Sequence, residues 1–268
     1  MYKRQILTTY RKEIWKPFIL AVKRYELIQE GDKIAVCISG GKDSMLLAKL
    51  MQELQRHSKV HFETVFLVMD PGYSEVNRRK IEENAAMLNV PITIFETDIF
   101  NVANGTDHNP CYLCARMRRG YLYSRARELG CNKIALGHHF NDVIETTVMA
   151  MFYGAQLQAM LPKLHSSNFE GMEMMRPMYC VHEEDIIRWK NAHGLEFLQC
   201  ACRFTESCMA SDGTGVSKRQ EVKQLLKQLK RDNPDIEKSI FNSIHSVCLD
   251  TMPGWKTKGE EHSFLENY

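Results

Sequence analysis

Apolar and polar positions along the chain alternate between two rhythms. Over residues 1–29, Ile14, Trp15, Phe18, Ile19 and Val22 recur at helical spacing, which predicts one or two amphipathic helices. Gly31 and Asp32 punctuate the chain, and Lys33 to Ile38 is a short β-branched run suited to a buried parallel strand. Ser39 to Ser44 reads as a glycine-containing turn, after which Met45 to Arg56 returns to the helical period. Phe62 to Met69 predicts a second strand, Ser74 to Leu88 a helix, and Ile92 to Thr97 a third strand. A loop with Gly105, Pro110 and Cys111 leads to a basic helix over 115–129 and a fourth strand over Lys133 to Gly137. Asp142 to Tyr153 reads as helix, Met174 to Met178 as a fifth strand, and Glu183 to His193 as helix. Another strand is expected to end after Phe197-Leu198, and Met209 to Gly215 reads as a loop. Ser217 then caps a basic helix through Lys230, closed by Asn233-Pro234, and the tail from Ile236 predicts one more helix.

Strand and helix thus alternate from residue 33 to about 200, the signature of an α/β protein with a parallel sheet covered on both faces. The expected organisation is an N-terminal helical extension over 1–29, a three-layer domain over 30–204 and a basic helical region over 205–268. No internal repeat or low-complexity stretch interrupts it. With 44% apolar residues among 268, the chain can bury a sizeable core, which excludes a disordered or collagen-like protein. The longest apolar runs, Ile34 to Ile38 and Val65 to Met69, fall far short of a membrane span. Lys3, Arg4, Arg11, Lys12 and Glu13 break up the first turns, so no leader is expected and the cytoplasm is the expected compartment.

A formal charge of +2 neither demands nor forbids a nucleic-acid partner. Nine cysteines in such a chain are expected as thiols rather than disulfides. Cys37, Cys131, Cys180 and Cys248 lie in apolar or helical surroundings and read as packing residues. The 15 methionines lie mostly in apolar stretches and read as adaptable core filler.

Two groups of residues carry chemistry. Ser39-Gly40-Gly41-Lys42-Asp43-Ser44 sits between a strand and a helix, without Walker A spacing but with the same physics. Two glycines let the backbone approach a phosphate, and the N–H groups at the start of the next helix hold the anion. Ser39 and Ser44 add hydroxyls, Lys42 a point charge and Asp43 a magnesium ligand. A tight β–α turn needing glycine only for steric reasons would explain Gly-Gly alone, but not Lys-Asp between two serines.

The second group is Cys111-Tyr112-Leu113-Cys114, a spacing that suits zinc, an iron–sulfur cluster or a redox dithiol. Cys200-Ala201-Cys202 and Cys208 follow some ninety residues on, near the expected carboxyl edge of the sheet, where ligands of open parallel sheets gather. Four thiols within the two groups leave a closed zinc site and an open three-cysteine cluster both available.

SGGKDS resembles the pyrophosphate loop of the ATP pyrophosphatases, which cleave ATP to AMP and pyrophosphate while adenylating a substrate. Cys-x-x-Cys followed by Ala115-Arg116-Met117-Arg118-Arg119-Gly120 is similar to the motif of the tRNA 2-thiocytidine synthetases, the TtcA family. Gly137-His138-His139-Phe140-Asn141-Asp142-Val143-Ile144-Glu145-Thr146 resembles that family's Gly-His-His-x-Asp-Asp-x-x-Glu-Thr block. Met151-Phe152-Tyr153-Gly154, Met160-Leu161-Pro162-Lys163 and Arg176-Pro177-Met178 continue the likeness over nearly the whole chain.

The resemblance implies a Rossmann-like PP-loop domain (adenine nucleotide alpha hydrolase type). It implies an ATP- and iron–sulfur-dependent tRNA sulfurtransferase that adenylates C2 of an anticodon-loop cytidine, position 32, and installs sulfur there. The cofactors so implied are ATP, Mg²⁺ and a [4Fe–4S] cluster held by Cys111, Cys114 and Cys200. The partners are tRNA, a sulfur donor (sulfide or a cysteine desulfurase persulfide) and a second copy of the chain as a homodimer. Nucleotide would lie against Ser39 to Ser44, with adenine near the end of the second strand at Met69, and against Gly137 and His138. Asp43, Arg118 and Asp142 carry the catalytic expectation, and His139 is a further candidate for acid–base or phosphate contact. Asn141 stands where the family block has its first acid, and Cys-x-Cys replaces the family's Cys-x-x-Cys, so Cys202 rivals Cys200 as a ligand.

Arg116, Arg118, Arg119, Arg125 and Arg127 form one basic helix face, and Lys218, Arg219, Lys223, Lys227, Lys230 and Arg231 another, both suited to RNA phosphates or simply to solvent. Rival functions are a same-fold enzyme acting on another base or a free thiolated nucleobase, an amine ligase like the lysidine synthetases, and a zinc- or nucleotide-binding module without catalysis.

Overall fold

A computed structural model of the protein describes residues 2–100, 110–198 and 217–268. The described chain forms two compact units, one of residues 1–143 with 160–217 and the other of 144–159 with 218–268.

The first unit opens with α1 (Tyr2–Leu7), a π-helical turn (Arg11–Trp15) and α2 (Lys16–Arg24). There follow β1 (Lys33–Ile38), α3 (Lys42–His57), β2 (Glu63–Asp70), α4 (Glu75–Leu88), β3 (Ile92–Glu96), α5 (Pro110–Glu128) and β4 (Lys133–Ala135). Next come α6 (Phe140–Gly154), β5 (Lys163–His165), β6 (Glu173–Met175) and α7 (Glu183–Ala192). The sheet order is β3-β2-β1-β4-β6-β5. All neighbours are parallel except β5, which runs antiparallel to β6. β1 is flanked by β2 on one side and β4 on the other, so its carboxyl end lies at the point where the strand order reverses. Open α/β sheets place their ligands in that crevice.

Burial along β1 alternates between two cores. Ile34, Val36 and Ile38 face the larger one, shared with Phe18, Met45, Leu46, Leu50, Ile81 and Trp189. Ala35 and Cys37 face the other, shared with Leu67, Tyr123, Ala126, Cys131 and Met174. Both faces of the sheet are therefore dry, as its near-continuous apolar strands demand. Ile6, Tyr10, Ile14 and Trp15 of the N-terminal helices belong to the larger core. Met172, Met174, Met175 and Met178 are buried, in line with their reading as filler. At the amino edge of the sheet the Lys133 ammonium is buried with Asp32 at 2.8 Å and Glu173 at 3.4 Å, and donates to the Leu27 carbonyl.

Several expectations are corrected. The cysteine pair lies in the first turn of α5 rather than in a loop, because Pro110 starts that helix where its missing N–H costs nothing. The fourth and fifth strands are shorter than predicted, and β5 was not predicted at all. Its Lys-Leu-His sequence is three residues long with one apolar position, too little for any periodic signal. Phe197-Leu198 does not end a strand. Instead the Leu198 N–H donates to the Gly40 carbonyl at 3.3 Å. Cys248 is exposed rather than packed.

The second unit holds the end of α6, α8 (Lys218–Asp232), α9 (Ile236–Ser243) and a hairpin of β7 (Gly254–Thr257) and β8 (Glu260–Ser263). The helix expected from Ile236 is α9, and the end that follows it is ordered as this hairpin, whose strands the sequence reading did not predict. Lys258 and Gly259 at its tip both have positive φ, as a type I′ turn requires. No described helix is long and apolar enough to cross a membrane.

Candidate active site

The phosphate loop is built by the end of β1 and the start of α3. Gly40 has φ +83°, and a Cβ there would lie 2.8 Å from the Ile81 side chain, so only glycine fits. Gly41 precedes α3 and no side chain caps that helix, whose first N–H groups and positive end face the loop. Ser44 organises the turn. Its hydroxyl donates to the Gly41 carbonyl at 3.0 Å and accepts from the Ser39 N–H at 3.1 Å and the Ser39 hydroxyl at 3.2 Å. Lys42 lies 3.1 Å from Asp43 and 3.3 Å from Glu183. Burial works against the Lys42 ammonium, but the two carboxylates outweigh it and raise its pKa. It is held charged.

The end of β4 supplies the opposite wall. A Cβ at Gly137 would meet the Ser44 nitrogen at 3.0 Å and the Asp43 carbonyl carbon at 3.2 Å, so glycine lets the first turn of α3 lie against this strand. His138 follows directly. Buried His139 then stands between two acids, its Nε2 3.8 Å from Asp43 and 3.5 Å from Asp142. The His139 N–H also donates to Asp142 at 3.0 Å, which ties the start of α6 to the acid. Asp43 Oδ1, the oxygen that faces His139, is buried and has no hydrogen-bond partner among the described residues, which leaves it able to ligate something further. That orphaned oxygen fits the magnesium role expected of Asp43. Asn141 Oδ1 accepts from the Glu183 N–H at 2.9 Å, so the amide that replaces an acid serves the start of α7.

The third wall comes from the end of β2 and from α5. Asp70 accepts from the N–H groups of Gly72 and Tyr73 at 2.9 and 2.7 Å and so fixes the loop after β2. Met69, just before it, is buried. The Tyr73 hydroxyl reaches the Ser39 carbonyl at 3.5 Å and accepts from Arg118 at 3.2 Å. Burial raises the Tyr73 phenol above its ordinary pKa, with Arg118 opposing the shift. Arg118 is one helical turn beyond Cys114, and Cys111 stands three residues before Cys114 in the same helix. Cys114 is half-buried and lies near Tyr73.

Ser39, Gly40, Gly41, Lys42, Asp43, Ser44, Gly137, His138 and Asp142 are thus gathered at the carboxyl ends of β1 and β4, with Arg118 reaching the same loop through Tyr73. Cys200, Cys202 and Cys208 lie outside the described residues, although Leu198, two positions before Cys200, is bonded to Gly40. Among the described residues no group of three side chains forms a metal site. Sequence reasoning missed Glu183 and Tyr73. Glu183 opens a Glu-Glu-Asp run whose only signal is favourable charge at a helix start, and Tyr73 sits in a turn with no motif of its own.

A glycine-built anion cradle at the reversal point of a doubly wound sheet, with an acid poised for a cation, defines a nucleotide-binding α/β protein of the PP-loop class. The family described as the PP-loop domain matches residues 10–202. The tRNA-cytidine(32) 2-sulfurtransferase of Geotalea daltonii is 36% identical over 231 residues, covering 85% of this chain and 88% of its own. That of Aeromonas salmonicida is 35% identical over 234 residues, covering 85% of this chain and 73% of its own. The chain belongs to the PP-loop family and, within it, to the family of the tRNA-cytidine(32) 2-sulfurtransferases. Among solved structures, the U34-tRNA thiolase NcsA of Methanococcus maripaludis, solved with its [4Fe-4S] cluster, superposes with a TM-score of 0.67 at 19% identity. The match covers 91% of this chain and 81% of that one, a likeness of fold.

Proposed function

We infer that the protein is an ATP-dependent sulfurtransferase that converts cytidine 32 of tRNA to 2-thiocytidine, with AMP and pyrophosphate as the other products. The observation that carries this reading is the hydrogen-bonded chain Arg118–Tyr73–Ser39, which links the helix of the cysteine pair to the phosphate loop. A nucleotide site alone would need no such link to a pair of thiols. The 34–36% identity to tRNA-cytidine(32) 2-sulfurtransferases supports the same substrate.

In this reading the C2 oxygen of the cytidine attacks the α-phosphorus of ATP and pyrophosphate leaves. The first N–H groups of α3, Lys42 and the Ser39 and Ser44 hydroxyls offset the charge that builds on the departing phosphates. Asp43 would hold the magnesium that accompanies ATP, and His139 between Asp43 and Asp142 keeps the two acids in place. A sulfide then adds at C2, the C–O bond breaks and AMP departs. Arg118 neutralises charge at the reacting oxygen.

Cys111, Cys114 and Cys200 are the proposed ligands of a [4Fe–4S] cluster. The fit rests on two thiol-bearing residues one turn apart on α5 and on the anchoring of Leu198 at Gly40. When bound, such a cluster would supply a means of presenting sulfide to C2 as a positioned nucleophile. Sulfide as donor belongs to the same reading, as does a homodimeric state; a cysteine desulfurase persulfide would serve as donor only with a thiol that supplies two electrons and leaves as a disulfide.

Mass spectrometry of tRNA nucleosides from a deletion strain tests it. Loss of 2-thiocytidine, restored by the wild-type gene, is the expected result, and an unchanged thionucleoside profile would sink the reading. Iron counts then separate the ligands, with Cys200→Ala losing the cluster and Cys202→Ala keeping it.

A further inference from the structure

The second unit carries an apolar surface that the chemistry above does not use. Residues 146–159 contain no charged side chain. At the end of α6, Phe152 is 58% exposed, Leu157 is 56% exposed, and Met151 and Tyr153 are exposed beside them. Contiguous exposed apolar groups of this kind mark interaction sites rather than chance.

The border of the surface indicates its partner. Tyr153 donates its hydroxyl to Glu221 at 2.7 Å, and the Lys218 ammonium lies 5.2 Å from its ring centroid. Arg219 meets the buried Glu145 at 2.9 Å. The nearby acids are therefore each matched by a base of α8, a helix with six lysines and arginines against two acids. A partner helix or a lipid surface would call for an apolar face sustained over several turns. A short aromatic surface edged by cations instead suits a nucleic acid, which offers flat unpaired bases and phosphates together.

We propose that Phe152, with Tyr153 beside it, is a stacking platform for an unpaired base of the RNA substrate, and that α8 holds the phosphates next to that base. The proposal rests on the reading that the substrate is a tRNA loop. It assigns loop recognition to a surface separate from the phosphate site.

The test is equilibrium binding by the holoprotein of an anticodon stem–loop RNA and of a blunt-ended, fully paired RNA duplex of equal nucleotide count. Phe152→Ala should weaken stem–loop binding by about 5- to 150-fold, the loss of one stacked base, and leave binding of the duplex unchanged. Phe152→Trp should restore it, and the salt dependence should stay that of the wild type, since no phosphate contact is lost. Wild-type stem–loop affinity in Phe152→Ala would overturn the platform, as would a wild-type protein that binds neither RNA. A change of oligomeric state in Phe152→Ala with RNA affinity intact would also overturn it, and would make the surface a self-interface. A wild type that binds the stem–loop in a Phe152-dependent way yet never thiolates it would refute the proposed function alone.

Discussion

Gly137 is the residue whose replacement most directly probes the phosphate site. Alanine there would bring a methyl group to 3.0 Å from the Ser44 nitrogen and 3.2 Å from the Asp43 carbonyl carbon and the Ser44 Cα. All three are backbone atoms of the first turn of α3, so no side chain can swing aside. Relief requires the end of β4 and the start of α3 to separate by a few tenths of an ångström, and overpacking of this kind costs about 1–3 kcal/mol of stability. The same displacement takes the Ser44 N–H off its bearing toward a bound phosphate. Loss of one hydrogen bond to a charged group costs about 1.5–3 kcal/mol, or roughly 10- to 150-fold in nucleotide affinity.

Calorimetric titration with a non-hydrolysable ATP analogue, together with urea unfolding, measures both effects. Gly120→Ala is the control. It lies within α5, where a new Cβ meets nothing within 4 Å, so helix propensity alone should raise stability by about 1 kcal/mol. A Gly137→Ala protein with wild-type stability and wild-type nucleotide affinity would refute the reasoning.

Asp43→Ala should abolish tRNA-dependent pyrophosphate release while leaving the visible spectrum of the cluster intact, because the cysteines are untouched; full release by the variant would remove the loop from catalysis. Lys133→Met strands the buried Asp32 carboxylate and should lower unfolding free energy by about 3–5 kcal/mol in urea, and a loss below 1 kcal/mol would mean the charge is not needed there. Burial, with the neighbouring Cys131, pushes the Cys37 thiol up to about 12, so at pH 8 it stays protonated. Mass spectrometry after iodoacetamide should therefore find Cys37 unlabelled in the folded protein and labelled after unfolding, and labelling of the native form would contradict its burial.

The parts of this protein that the sequence determined by itself are those specified by near neighbours along the chain. Ile34 to Ile38 is apolar at every second and every intervening position, so it must be a strand covered on both faces, and Ser39 to Ser44 after it must turn into a helix. Cys111 and Cys114 lie three apart, a spacing that suits ligand or redox chemistry whether a loop or a helix carries it. Only the tertiary structure decided what closes on these motifs. Lys42 meets Glu183 across 141 residues of sequence, and Tyr73 joins Arg118 to Ser39 from a turn with no motif of its own. Gly137 looks like any glycine at a strand end until the first turn of α3 is seen lying against it. The strand Lys163–His165 likewise acquires its place from β6 rather than from its own three residues. Local pattern records only the backbone's own preferences and which face a side chain turns to. Contacts between distant segments are selected by sheet order and packing, and they leave no period in the chain to read.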